Sequence, residues 1–224
     1  MSLTLTEKFI LLAHHPEKGR YAVTMYQHQY GLIGSLLMEL SLKDIVAVEN
    51  KRLYLKKKDL PADEVLSEIV QKLASSSNPR RIRYWISKFS FRYRKYKWAI
   101  YANLERQWMI KIEKKYFLGI IPYRRCYVRN KSERSQIIAN LRENILYKKE
   151  MNDETVAFAA LVAACSMQRK LTTNREELKV IKQELKRILK EQPVASAVKQ
   201  TIIEVQAAVA SAIVTATVAT HAAS

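Results

Sequence analysis

The run Ile202-Ile203-Glu204-Val205-Gln206-Ala207-Ala208-Val209-Ala210-Ser211-Ala212-Ile213-Val214-Thr215-Ala216-Thr217-Val218, continued to Ser224 by Ala, Thr and His221, decides how the chain folds. Wound as a helix it is apolar nearly all round, and such a helix either spans a membrane or forms the centre of a helical domain. Glu204 and Gln206 interrupt it early, and its Ala and Thr dilute its hydrophobicity, which makes insertion marginal. The reading is a buried central helix running from Ala195 to Ala223.

Outward from that helix, the rest of the chain supplies partners for it. Only 4 glycines and 5 prolines punctuate 224 residues, which favours long helices over a many-turned β architecture. Helices are expected over 132–149, 153–169 and 174–191, the last with acids first and bases last, as the helix dipole favours. Towards the N-terminus, Thr4 and Glu7 stand at capping-box spacing before Phe9-Ile10-Leu11-Leu12, giving a short helix that ends before Pro16. Leu32, Leu36, Leu37 and Leu40 mark a second helix from Tyr26 to Leu42. A third begins at Pro61, with Asp63 and Glu64 in its first turn, and fades at Ser75-Ser76-Ser77-Asn78-Pro79. Between the second and third, Ile45-Val46-Ala47-Val48 and Arg52-Leu53-Tyr54-Leu55 read as a hairpin with Lys56-Lys57-Lys58 guarding its outer end. The expected fold is mainly α: one domain over residues 1–224, a helical bundle around a buried central helix, with two small β-hairpins.

Charge is distributed unevenly over this frame. Residues 80–150 hold 20 of the 39 Lys and Arg but only 5 of the 21 Asp and Glu, so they carry +15 of the net +18. All three tryptophans, Trp85, Trp98 and Trp108, lie in the same stretch. From Arg92 to Gln107, Tyr93, Tyr96, Ile100 and Leu104 share one helical face and leave Arg94 and Lys97 as an i, i+3 pair on another. A second hairpin follows, in which Met109-Ile110-Lys111-Ile112-Glu113 alternates and Tyr116 to Tyr123 supplies an apolar partner or tip beside Arg124, Arg125 and Arg129. That hairpin is either buried on the domain or exposes Phe117, Leu118, Ile120 and Ile121 to lipid. Cations interleaved with amphipathic rings point to an anionic partner, either a membrane surface or nucleic acid.

Other classes find less support. His14, His15, His28 and His221 lack metal-ligand spacing with one another or with Cys126 and Cys165, and no glycine-rich phosphate loop or nucleophile-base pattern occurs. No metal, cofactor or catalysis is expected. The cysteines form no framework and fit a reducing compartment. The N-terminus, from Met1 to Lys8, has no secretory signal pattern, which predicts a cytoplasmic protein. A winged-helix reading would make residues 31–42 the recognition helix, yet that segment carries Glu39 and no cation for base contacts, so nucleic acid is the weaker partner.

The opening Leu3-Thr4-Leu5-Thr6-Glu7-Lys8-Phe9-Ile10-Leu11-Leu12, and Gly31-Leu32-Ile33-Gly34-Ser35-Leu36-Leu37-Met38-Glu39-Leu40 leading into Lys43-Asp44-Ile45-Val46, resemble the Golgi phosphoprotein 3 family. Tyr84-Trp85-Ile86, Asn103-Leu104, the apolar hairpin and the alanine-rich last helix fall where that family has equivalents. The resemblance implies a non-catalytic peripheral membrane protein that binds phosphatidylinositol 4-phosphate. It sits on the cytosolic face of the Golgi in a eukaryote and at the inner face of the plasma membrane in a bacterium. Family members use a tryptophan, an arginine in a GLRG-like turn, and two later arginines one helical turn apart. Here Thr24 and Ile33 stand at the first two positions, and Arg94 and Lys97 at the later pair. Isoleucine cannot grip a phosphate as an arginine fork does. The expectation is therefore general anionic-lipid binding, with Arg92, Lys95, Arg124 and Arg125 near enough to contribute. Self-association through the 109–129 hairpin also belongs to this reading.

Overall fold

A computed structural model describes residues 3–57, 59–191 and 196–222. Parts of the readings above that rest on Met1, Ser2, Lys58, Ala195, Ala223 and Ser224 lie outside these. Helix α1 (Leu5–Ala13) opens with the expected capping box: the Glu7 amide donates to Thr4 Oγ1 at 3.3 Å, and the Thr4 amide donates to the Glu7 carboxylate at 2.9 Å. Helix α2 (Met25–Leu42) starts the same way, with Thr24 and Gln27 as the reciprocal pair. Strands β1 (Val46–Glu49) and β2 (Arg52–Leu55) pair antiparallel, Val46 opposite Leu55. Asn50 and Lys51 between them both take positive φ, the backbone that a tight two-residue hairpin demands. Helix α3 (Glu64–Ala74) is capped by Asp63.

The next segment departs from expectation. Arg80–Arg81 forms a short strand β3 that pairs with β2, Arg52 opposite Arg81, so the first hairpin becomes a three-stranded sheet. It runs directly into α4 (Ile82–Ser90), which buries Trp85, Ile86 and Phe89. The Trp85 indole therefore belongs to the core, whereas Trp98 is half-buried and Trp108 exposed. Helix α5 (Tyr93–Arg106) buries Tyr93, Tyr96, Ile100 and Leu104 as their spacing predicts.

Strands β4 (Ile110–Phe117) and β5 (Ile121–Val128) form the second hairpin, with Phe117 opposite Ile121 and Ile110 opposite Val128. The apolar run Tyr116 to Tyr123 is thus no second strand: it straddles the turn, and Arg124 and Arg125 lie within β5. Leu118 and Gly119 hold positive φ at the tip. Helices α6 (Lys131–Leu146), α7 (Asp153–Ala164), α8 (Arg175–Glu191) and α9 (Ser196–Ala222) complete the order. Helix α7 stops at Cys165 rather than Arg169, because Ser166 takes positive φ and a 3-10 turn follows at Gln168–Lys170.

Helix α9 packs against α2, α4, α7 and β1, and its Ile202, Val205, Ala208 and Val209 are all at most 3% exposed. By length and composition, 198–220 also suffices to cross a membrane, but withdrawing it would empty the core. The burial holds for the first half only. Past Ala210 the helix emerges, and Val214 and Val218 are exposed. Residues Gly31 to Ser41 of α2 are buried, which leaves no face of that segment to enter a DNA groove.

Gly34 lets α2 and α9 approach. A Cβ there would lie 2.6 Å from Val209 Cγ2, with Leu161 and Val205 at 3.4 Å. Gly34→Ala should therefore cost about 1–3 kcal/mol by overpacking. A urea titration checks this, and an unchanged midpoint would contradict the packing.

Candidate anion-binding site

Lys97 sits on α5 one turn after Tyr93 and one turn before Tyr101, at the border between the buried and solvated faces. Its ammonium donates to Tyr21 Oη at 3.3 Å. It also lies 4.5 Å from the Trp98 ring centroid, 5.4 Å from that of Tyr93, 5.8 Å from Tyr101 and 6.0 Å from Tyr21. The rings of Trp98, Tyr93 and Tyr101 thus lie around one cation, while Tyr21 meets it with its hydroxyl edge. The Arg124 guanidinium approaches the same Trp98 ring at 4.8 Å. Between these groups opens a cleft of about 280 Å³ whose cations are Arg20, Lys97, Arg124 and Arg125. No carboxylate lines it among the described residues.

The expected site residues divide in this geometry. Lys97, Arg124 and Arg125 come together. Arg92 and Lys95 turn to α3 instead, where Glu68 accepts from them at 3.1 Å and 2.5 Å, with Lys72 at 3.8 Å. Arg94 is exposed and does not line the cleft. Ile33 is wholly buried in the core. Thr24 caps α2 and rims a shallow depression that shares Arg20 and Tyr21 with the cleft. Phe117, Leu118, Ile120 and Ile121 are 59–80% exposed, so of the two hairpin readings the open tip is the one found. At the base of the hairpin the Arg129 guanidinium lies 3.7 Å from the Trp108 ring centroid.

Arg20 and Tyr21 were not singled out in the sequence. They stand on a loop without periodicity, after Gly19, whose positive φ and close approach to the Tyr127 ring, 2.7 Å from a built Cβ, fix the turn. Beneath Tyr21 lie His14 and His28, buried rather than exposed. Burial is the main cause that holds His14 down at about 4 and His28 well below the usual imidazole range, and Lys97 adds to both. Both rings are therefore neutral at physiological pH. The Cys126 and Cys165 thiols are pushed up to about 12 by burial, which leaves them unreactive. Among the described residues no cluster of three His, Cys, Asp or Glu could hold a metal ion.

The molecule is thus a mainly helical protein with two small antiparallel sheets and a cationic, aromatic-lined cleft at the foot of an apolar hairpin. The family model described as Golgi phosphoprotein 3 (GPP34) matches residues 5–205, and the chain belongs to that family. No curated protein matches it. Membership gives a coarse basis for lipid binding, for peripheral association of a Golgi type and for a non-enzymatic role.

The buried histidines set a pH dependence. Folding lowers their proton affinity, so as pH falls below the ordinary value of 6.5 the unfolded chain takes up protons first, and stability drops until the folded value near 4 is reached. By pH 5, His14 alone should contribute a loss of about 2 kcal/mol. Glu39, whose carboxyl burial raises, acts with the opposite sign in this window. Denaturation of the Glu39→Gln protein at pH 7 and pH 5 removes the opposing contribution, and equal stability at both would contradict the assignment of the histidines.

Proposed function

We propose that the protein is a peripheral membrane protein that captures an anionic phospholipid headgroup, by family resemblance phosphatidylinositol 4-phosphate, in the Lys97 cleft while its hairpin tip enters the lipid. One observation carries this reading: β5 holds both parts. Ile121 ends the apolar tip and Arg124 lines the cleft, three residues or about 10 Å further along the strand. The headgroup layer on each side of a bilayer is only about 6 Å deep. A tip in the hydrocarbon therefore leaves the cleft level with phosphates, where each nearby cation contributes about 1 kcal/mol.

The docked face is cytoplasmic: the Golgi membrane in a cell that has one, the inner face of the plasma membrane in a bacterium. The exposed tip is also the surface through which two copies would associate. Arg94 remains a peripheral contact to the same membrane rather than part of the cleft.

Co-flotation with phosphatidylcholine vesicles, with vesicles containing phosphatidylserine, and with charge-matched vesicles containing phosphatidylinositol 4-phosphate tests the proposal. Binding should be strongest to the last. Lys97→Glu combined with Arg124→Glu should weaken it by roughly tenfold or more, beyond the effect of Arg92→Glu combined with Lys95→Glu. Equal effects of the two pairs would replace the cleft with a diffuse basic face.

Leu118→Asp with Ile120→Asp should lower vesicle binding while leaving the cleft intact. Sedimentation of the same variant reads self-association. Undiminished binding to vesicles would remove the tip from the lipid contact.

A further inference from the structure

The hydrogen bonds beneath the cleft form a single chain, and its proton positions can be derived. The carbonyl of Ile10 can only accept, so the His14 Nδ1 atom, 2.8 Å away, carries the ring proton. His14 is neutral, hence its Nε2 is bare and accepts from the Tyr101 hydroxyl at 2.9 Å. Tyr101 has then used its only proton, and its oxygen must accept from His28 Nε2, also at 2.9 Å. His28 is neutral too, so its Nδ1 accepts from Tyr93 at 2.8 Å. Tyr93 in turn accepts from Tyr21 at 3.1 Å, and Tyr21 accepts from the Lys97 ammonium. Burial raises the Tyr93 and Tyr101 phenols above their usual range, so both keep their protons.

All six bonds donate in one direction, from Lys97 at the cleft to Ile10 in the core. Each link presents a lone pair towards Lys97, so the chain turns its negative end to the ammonium. Reversal anywhere would require a charged histidine or an unsatisfied buried group, and both are costly.

We infer that this one-way chain positions the Lys97 ammonium at the mouth of the cleft, with Tyr21 and Tyr93 as the positioning residues. The purpose of that positioning, anion capture, rests on the function proposed above. The chain spans α1, the loop before α2, α2 itself and α5, so it locks the cation to the rigid centre of the fold. A lysine side chain otherwise loses much rotamer freedom when it grips a ligand. Here that freedom is already lost before the ligand arrives.

The test reads the chain without a ligand first. Long-range nitrogen–proton spectra of the histidine rings should show His14 protonated at Nδ1 and His28 at Nε2. The Lys97 Cε protons should be shifted upfield by the surrounding rings. Tyr21→Phe and Tyr93→Phe keep the rings and remove one link each. In both variants the Lys97 signals should move towards ordinary lysine values, while in Tyr93→Phe His28 should keep its Nε2 tautomer, because Tyr101 sets it from the core side. Binding to vesicles of phosphatidylcholine with phosphatidylinositol 4-phosphate should weaken roughly 3- to 10-fold. Tyr21 is half-buried, so its variant should fold even if Tyr93→Phe does not. The opposite tautomer on either ring, or a Lys97 signal unmoved by Tyr21→Phe, would overturn the inference. Wild-type protein that ignores every vesicle while its Lys97 signals respond as described would sink the lipid reading and leave the positioning standing.

Discussion

Contact between α2 and α9 is the constraint on which the other packing depends. Gly34 removes a side chain from α2, so Val205 and Val209 of α9 come to rest against its backbone together with Leu161 of α7. Gly31, one turn earlier, does the same for Phe9 of α1 and Cys165 at the end of α7. With its middle enclosed in this way, α2 is a fixed axis and its first turn is fixed with it. His28 lies in that first turn. Its ring stands beneath Tyr21 with centroids 4.2 Å apart, and through Tyr101 it reaches α5. The register of the core thereby sets the position of the surface cation, since neither α2 nor α5 can slide without unmaking buried hydrogen bonds that have no water to replace them.

The sequence is legible where local physics decides the outcome. The Thr4 and Glu7 capping box, the buried stripe of α5 and the hairpin around Asn50 each depend on residues a few positions apart. Elements that depend on distant residues are less legible. Strand β3 exists because β2 offers an open edge to Arg80 and Arg81, a fact invisible in two consecutive arginines. The apolar run from Tyr116 to Tyr123 allows a strand or a tip by composition, and positive φ at Leu118 and Gly119 makes it a tip. The site was half legible for the same reason. Lys97, Arg124 and Arg125 stand out within a basic stretch, but Arg20 and Tyr21 come from a loop 76 to 105 residues away and converge with them only in three dimensions.

Charge count alone also does not show which cations are available. Glu68 gathers Lys72, Arg92 and Lys95, and Glu113 is clamped between Lys111 at 2.8 Å and Lys115 at 3.0 Å. In both places a few carboxylates among many bases offset the local charge. The cleft is different, because what faces its cations is aromatic. Rings stabilise a cation by their quadrupoles without adding a negative charge, so they hold Lys97 and Arg124 in place and leave the cleft's net charge intact. A carboxylate in the same place would hold them equally well and would repel a phosphate.

That difference bears on how a headgroup would be recognised without the arginine that the family resemblance implies for the turn at Ile33. Ile33 faces the core, and no side chain there reaches the surface. The forks that remain, Arg124 and Arg125, come from a hairpin strand, while the point charge, Lys97, comes from a helix anchored in the core. Arginine supplies directional, paired hydrogen bonds to phosphate oxygens, and lysine supplies charge with little angular preference. Under the proposed function, angular discrimination between headgroups would therefore fall to the hairpin, whose tip is exposed. Charge attraction falls to the rigid helix. Under the docking proposed above, headgroup selectivity would be coupled to how the hairpin seats in the bilayer, because seating is what would bring both forks to the depth of Lys97.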